Sequence, residues 1–505
     1  MLESVRVTTR EQAPTADRRV PNPVLGSAGF AVAVALGMGI AVSPAIGLAM
    51  SAIMLTVPLL LSPLARLAFV VAGAMVVLNV SDSLSVSKIG YLLGCGLVVA
   101  IAIHRLPSLR SSKAYEEVRW LLRVSFFFAV FVALEMVLAI SAGADPSATL
   151  RESAAYLLFA SVPLLALDAR SSSQSHLIGP LFVAVALVGT LSYAVEWVTY
   201  RDLAQLPIDR IALAGALPAA LFSYLSAGFV VGRRRTLWAL AAGIVLALLL
   251  VTGNRGGVVV LLGPLAISLL GGTGRWKRAM RLAVVGILVT ACASLAVSAI
   301  GQALEIDTSY LSRRYESLLH LSDLRFDPSV RVRLAQTDIA WDVFRSHMIF
   351  GAGPGYEFVW YDPLTGLPES SQYIDSPMQF SAKFGALGLM FWISFVVAYG
   401  SVLLRLNRPP SVFRAAAFGF AAIQLAWAFV GSPLSDKGTA LSLLMLLALS
   451  LPTDRHLGGK WDPRSMHRAS SEEPSGSAIS AWRKEPPLLG EKGVERPETG
   501  QRTES

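Results

Sequence analysis

From residue 24 to residue 451 the sequence is a succession of apolar runs separated by polar connections, most of them short. The runs fall at about 24–42, 45–61, 67–80, 89–103, 121–142, 154–167, 177–197, 211–231, 237–251, 258–270, 282–300, 384–404, 411–430 and 438–451. A helix needs roughly 20 such residues to cross the hydrocarbon core of a bilayer. The runs beginning near 154, 258 and 438 fall short of that length. Lipid offers the backbone no hydrogen-bond partners, so a spanning segment must pair its own N–H and C=O groups as a helix or within a closed barrel. The strict alternation of a membrane barrel is absent. The predicted fold is therefore all-α, a polytopic transmembrane bundle of about 14 spans. Composition agrees: 54% of the 505 residues are hydrophobic and 15% are charged, against about 25% charged in soluble proteins. That excludes a disordered chain, a disulfide scaffold and an ordinary soluble enzyme.

The net charge of +9 would suggest nucleic acid if the basic residues formed one surface. They do not. When the N-terminal tail, with Arg6, Arg10, Arg18 and Arg19, is placed in the cytoplasm and the spans alternate, every dense basic cluster falls on the same side. These are Arg105, Arg110, Lys113 and Arg119; Arg233 to Arg235; Arg275, Lys277, Arg278 and Arg281; and Arg405, Arg408 and Arg414. The opposite short loops receive only Lys88, Arg151, Arg201, Arg210, Arg255 and Lys437. Excess Lys and Arg mark cytoplasmic loops, so the charge reports an N-in, C-in orientation and no nucleic-acid partner is expected. The layout is a cytoplasmic tail (1–22), an uncleaved first span and ten more (23–300), a large extracytoplasmic loop (301–380), three further spans (381–451) and a disordered cytoplasmic tail (452–505). Cys95 and Cys292 lie in apolar runs and are expected to be small buried hydrophobes.

Three features can carry chemistry. The turn Thr252-Gly253-Asn254-Arg255-Gly256-Gly257 interrupts an apolar stretch at the predicted outer end of two spans. An arginine there fits a phosphate, and equally fits an interfacial side chain that snorkels to water. In the large loop, Arg331-Val332-Arg333 begins a stretch with helical periodicity, with Arg331, Asp338, Asp342 and Arg345 on one face and Val332, Ile339 and Val343 on another; Asp327 or Ser329 can cap it, with Pro328 between them. Gly351-Ala352-Gly353-Pro354-Gly355 ends that helix. It is either a plain breaker or a phosphate-cradling turn. His320 and His347 read as ordinary surface histidines. Glu135, Glu196 and Gln424 are polar residues within or beside spans that either face the bundle interior or make helix–helix hydrogen bonds.

Several of these blocks together resemble the O-antigen ligase and polysaccharide polymerase superfamily. They are Asn254-Arg255-Gly256-Gly257, Arg314-Tyr315-Glu316-Ser317, the helix opening at Arg333, the turn Gly351/Gly353/Gly355, and Asp375-Ser376-Pro377 leading to Lys383-Phe384-Gly385. The likeness covers about 237–404. Many ligases carry a His-Asn pair at the start of the last block. Ile374-Asp375-Ser376 stands there in this chain, which shifts the resemblance toward polymerases.

The resemblance implies glycosyl transfer at the outer face of the bacterial cytoplasmic membrane. The donor would be a saccharide on a polyprenyl diphosphate and the acceptor a sugar hydroxyl. Arg255, Arg333 and Arg314 would bind the diphosphate, and Asp375 would be the catalytic base. No cofactor and no metal are implied. Partners would be the lipid-linked saccharide, membrane lipid and other polysaccharide-assembly proteins. A flippase for the same lipids and a non-catalytic partner of a polysaccharide synthase are the alternative functions.

Overall fold

The computed structural model describes residues 59–77, 86–199, 208–231, 235–251, 259–270, 273–303, 328–405, 411–429, 431 and 437–452. Each of the twelve apolar runs from residue 67 onward contains a helix. In chain order these are α1 (Pro63–Val77), α2 (Val86–Leu109), α3 (Lys113–Ser141), α4 (Pro146–Arg170), α5 (Ile178–Thr199), α6 (Ile208–Val231), α7 (Arg235–Val251), α8 (Leu262–Leu269) and α9 (Thr273–Ala303). The loop helix α10 (Pro328–Ser346) and a hairpin of β1 (Phe358–Tyr361) and β2 (Pro368–Ser371) follow. The last helices are α11 (Gln379–Leu404), α12 (Val412–Trp427) and α13 (Lys437–Ser450). The first two runs and the N-terminal tail lie largely or wholly outside the described residues. The chain divides into two units, Met1–Asp454 and Arg455–Ser505, and the second also lies outside them.

The protein is an all-α membrane protein. Among the described residues, five helices are long and apolar enough to cross a bilayer: Ser87–Leu109, Lys113–Ser141, Pro146–Arg170, Ser175–Ser192 and Gln379–Leu404. Shorter apolar helices fill the space between them. The 14-residue α13 is apolar on every side, and its residues 438–449 are buried. A helix of that kind belongs at the centre of a bundle. It packs between α4 and α6. Thr439 Oγ1 donates to Gln424 Oε1 at 3.0 Å, so Gln424 joins α12 to α13 as a helix–helix hydrogen bond. Glu135 is buried within α3.

The run at 154–167 is longer in the structure than its apolar residues suggest. Asp145 caps α4, accepting from Ser147 N and Ala148 N, and Pro146 occupies the first turn. The polar turns that follow are helical and buried because their charges find partners across the bundle, as described below.

Arginines cap neighbouring helices at one end. Arg278 donates to Val230 O at 2.7 Å, and Arg414 to Leu403 O at 2.5 Å. Each satisfies carbonyls that a helix C-terminus leaves unpaired. The ends of α4, α6 and α13 and the starts of α5 and α12 border an open pocket of about 490 Å³ there, lined by Arg170, His176, Tyr224, Phe413 and Leu449 among others. The loop helix and hairpin sit at the opposite end, over the C-terminus of α3 and the N-termini of α4 and α11.

Two expectations need revision. The hairpin is a strand element in a region read as purely helical and irregular. Its antiparallel register pairs Phe358 with Ser371 and Tyr361 with Pro368. Phe358-Val359-Trp360-Tyr361 alternates buried and exposed, and Asp362 closes the turn by accepting from Leu364 N and Thr365 Oγ1. Cys292 is exposed and Cys95 partly buried; both are free.

Candidate functional site

A second, small core organises the loop. Ala340 and Val343 of α10 pack with Phe358 and Trp360 of β1, Ile374 and Ala382, with Ile339 and Phe344 alongside. The opposite face of α10 carries Arg331, Asp338, Asp342 and Arg345, all exposed. This is the amphipathic division its sequence predicts.

That core fixes the segment 372–378 against α10. Asp375 N donates to Gln336 Oε1 at 2.9 Å, and Ile374 N to Gln379 Oε1 at 3.1 Å. Ser376, fully buried, shares a hydrogen bond with Thr337 Oγ1 at 3.0 Å. With its backbone held on both sides, Asp375 presents its carboxylate to Arg333. Nη2 and Oδ2 are 2.5 Å apart, and the side chains are 40% and 50% exposed. The other oxygen, Oδ1, faces Gly431 beyond α12, where an added Cβ would come within 2.8 Å of it. A half-exposed ion pair contributes only about 0–1 kcal/mol to stability. A guanidinium carries five N–H donors, so binding Asp375 leaves Arg333 capacity for phosphate oxygens.

The glycine turn does different work. Gly351 N donates to His347 O, Ala352 N to Ala382 O, Gly353 N to Lys383 O and Tyr356 N to Gly353 O. Gly355 N donates to Glu152 Oε2 at 2.7 Å. These amides are already engaged by the protein, so the turn is a fastener and not a phosphate cradle. Its counterpart is a break in α11 at Gly385 (φ 63°, ψ −165°). From the far side of the break, Ala386 N and Leu387 N donate to Met348 O and Ile349 O. Only glycine fits at the crossing. Gly351 has φ 81°, and an added Cβ would lie 2.3 Å from the Lys383 carbonyl; at Gly385 it would lie 2.3 Å from Ile349 O.

Beneath the crossing lies a buried ion pair that sequence reasoning missed. Lys383 Nζ donates to Glu152 Oε1 and Oε2, each at 2.6 Å, and to Gln372 O at 2.6 Å. Both side chains are 0% exposed. Next to it, Arg151 Nη2 donates to Gln372 Oε1 at 2.6 Å. The Tyr373 ring lies 5.6 Å from both the Arg151 guanidinium and Lys383 Nζ. One carboxylate therefore joins α4, the glycine turn and the start of α11. Through Gln372, its partner holds the segment leading to Asp375. The signal in the sequence was a lone Lys and a lone Glu at predicted outer ends of two apolar segments; ionisable groups in such places pair with one another.

Of the residues expected to bind diphosphate, Arg333 is described and meets Asp375, while Arg255 and Arg314 lie outside the described residues, as does His320. His347 is exposed, with Nδ1 3.0 Å from Ser346 Oγ. Among the described residues, no group of three or more His, Cys, Asp or Glu side chains could hold a metal ion.

The family model described as O-antigen ligase matches residues 240–393. The matched stretch is the one whose motifs resemble the O-antigen ligase and polymerase superfamily. The match takes in Arg333, Asp375, the glycine turn and Lys383, and leaves Arg151 and Glu152 outside. No curated protein matches the chain.

Proposed function

We propose that this protein transfers a saccharide from a polyprenyl diphosphate carrier to a sugar hydroxyl at the outer face of the bacterial cytoplasmic membrane. It acts as a polymerase in assembling a cell-surface polysaccharide or exopolysaccharide. The observation that carries this reading is the half-exposed contact between Arg333 and Asp375, at the end of the bundle opposite Arg278 and Arg414. The family match supports glycosyl transfer in general. The absence of the ligase-type histidine at Asp375 favours polymerisation.

In this mechanism the acceptor oxygen attacks the anomeric carbon of the donor. The bond from that carbon to the diphosphate oxygen breaks, and the electron pair leaves with the diphosphate. The acceptor proton passes to the Asp375 carboxylate as general base. Arg333 stabilises the charge that grows on the diphosphate, an electrostatic contribution of about 10²–10³ in rate for one well-placed donor. Arg255 and Arg314 are assigned the same role. As the diphosphate draws the guanidinium toward itself, the carboxylate is released to take the proton.

The test is chemical analysis of the surface glycan in a deletion strain complemented with Arg333→Ala or Asp375→Asn. The expected result is loss of long chains, by about 10²-fold in transfer rate, with normal protein in the membrane. Long chains that are made but left unattached would indicate a ligase. Lipid-linked units trapped on the cytoplasmic side would indicate a flippase. A normal chain-length distribution in both variants would overturn the assignment of these residues and favour a non-catalytic partner.

A further inference from the structure

The loop carries an apolar surface that its own core does not use. Met348, Ile349 and Phe350 are consecutive and 54%, 60% and 51% exposed. Trp341, two turns earlier on α10, is 41% exposed, and the Arg345 guanidinium lies 5.1 Å from its ring centre. A soluble loop rarely displays three large apolar side chains in a row unless something covers them.

Their position identifies what does. Ala386 N is bonded to Met348 O and Leu387 N to Ile349 O. Ala386 is the first residue of an exposed stripe on α11 that continues through Met390, Ile393 and Val397. The spacing of four, three and four makes this one face of a helix, on a segment long and apolar enough to cross a bilayer. On the other side, an added Cβ at Gly353 would touch Ala139 of α3 at 3.1 Å; near that residue Val137, Leu138 and Ile140 are exposed as well. The Met348–Phe350 patch thus continues the exposed apolar stripe of α11, and the glycine turn that follows it touches α3. Trp341 with its arginine suits the polar–apolar boundary, where tryptophan concentrates in membrane proteins.

We propose that Met348, Ile349 and Phe350 are immersed in the leaflet on the loop's side of the membrane, with Trp341 and Arg345 at its polar boundary. The turn after α10 is then an interfacial anchor, and the loop is tied to lipid as well as to the bundle. The anchor does not depend on the reaction assigned above, and its test reads no activity.

The test uses spin labels on the full chain in lipid nanodiscs, in a Cys95→Ser, Cys292→Ser background. Single cysteines are placed by Ile349→Cys and Phe350→Cys, with Met348→Cys in reserve should either fail to insert. Ile393→Cys supplies the lipid reference and Ser370→Cys, on the exposed side of β2, the aqueous one. Relaxation by oxygen and by a water-soluble nickel chelate is then compared. The expected result is high oxygen and low nickel accessibility at 349 and 350, several-fold apart and matching 393. Nickel accessibility matching that at 370 would overturn the proposal. A label reached by neither reagent would place protein on the patch and would overturn it equally.

Discussion

Both ends of α4 bury a carboxylate, and the two are about 24 Å apart by helix rise. At the loop end, Glu152 has one ammonium partner, Lys383, and one backbone donor, Gly355. At the other end Asp168, 2% exposed, has two guanidinium partners. Arg66 reaches it with Nε at 2.7 Å and Nη2 at 3.0 Å, Arg105 with Nη1 at 2.5 Å. Arg66 also donates to Leu59 O at 2.7 Å. The asymmetry follows the helix dipole. Asp168 sits in the last turn, where the dipole disfavours an anion, and two cations offset that. Glu152, in the second turn, is beyond the reach of either terminus and has one. The partners differ in kind as well. Asp168 gathers early helices of the bundle, whereas Glu152 fastens the loop segment that carries Asp375. The first arrangement holds the membrane scaffold together; the second sets where the proposed site stands on it.

The largest expected effect breaks the loop-end pair. Lys383→Met leaves Glu152 charged, buried and alone, at a cost of about 3–5 kcal/mol. Thermal unfolding in detergent should show a lowered Tm, and Glu152→Gln added to it should recover most of the loss. If the double variant is no better than the single one, Glu152 is held by something other than this pair. Gly351→Ala comes next. The φ of 81° and the 2.3 Å approach to Lys383 give an expected loss of about 2–3 kcal/mol, near the upper range for local backbone strain. Limited proteolysis of the loop should register it before the bundle unfolds. The smallest effect sharpens the contrast. Arg105→Ala removes a 33%-exposed partner while Arg66 remains, and should cost about 1 kcal/mol. Arg66→Ala should cost clearly more. Equal losses would mean that Asp168 does not rank its partners by burial.

The same division marks what the sequence made legible. The apolar runs located the helices because burial in lipid leaves the chain no other choice. The motifs singled out Arg333 and Asp375, 42 positions apart, which the structure joins. Glu152 and Lys383 stayed hidden. Their bond spans 231 residues, and nothing local distinguishes a buried partner from a charge at a span edge. The hairpin was missed because four-residue strands leave too short a pattern to stand out from irregular loop. The start of α4 lies outside its apolar run for a related reason: its polar first turns are helical through a cap and tertiary partners and not through hydropathy.

The crossing of the glycine turn with the broken helix also governs which length changes the chain can absorb. The bonds from 352 to 382, 353 to 383, 386 to 348 and 387 to 349 fix two stretches residue for residue. One inserted or deleted residue within 348–353 or 382–387 would shift every bond by a place and move a side chain into a gap that admits none. The tip at Gly366, where an added Cβ meets no atom within 4 Å, has no such register. Insertions that lengthen the loop can therefore accumulate at the hairpin tip while the distance from Lys383 to Asp375 stays constant. The fold separates the part of the loop that can vary in size from the part that must keep count.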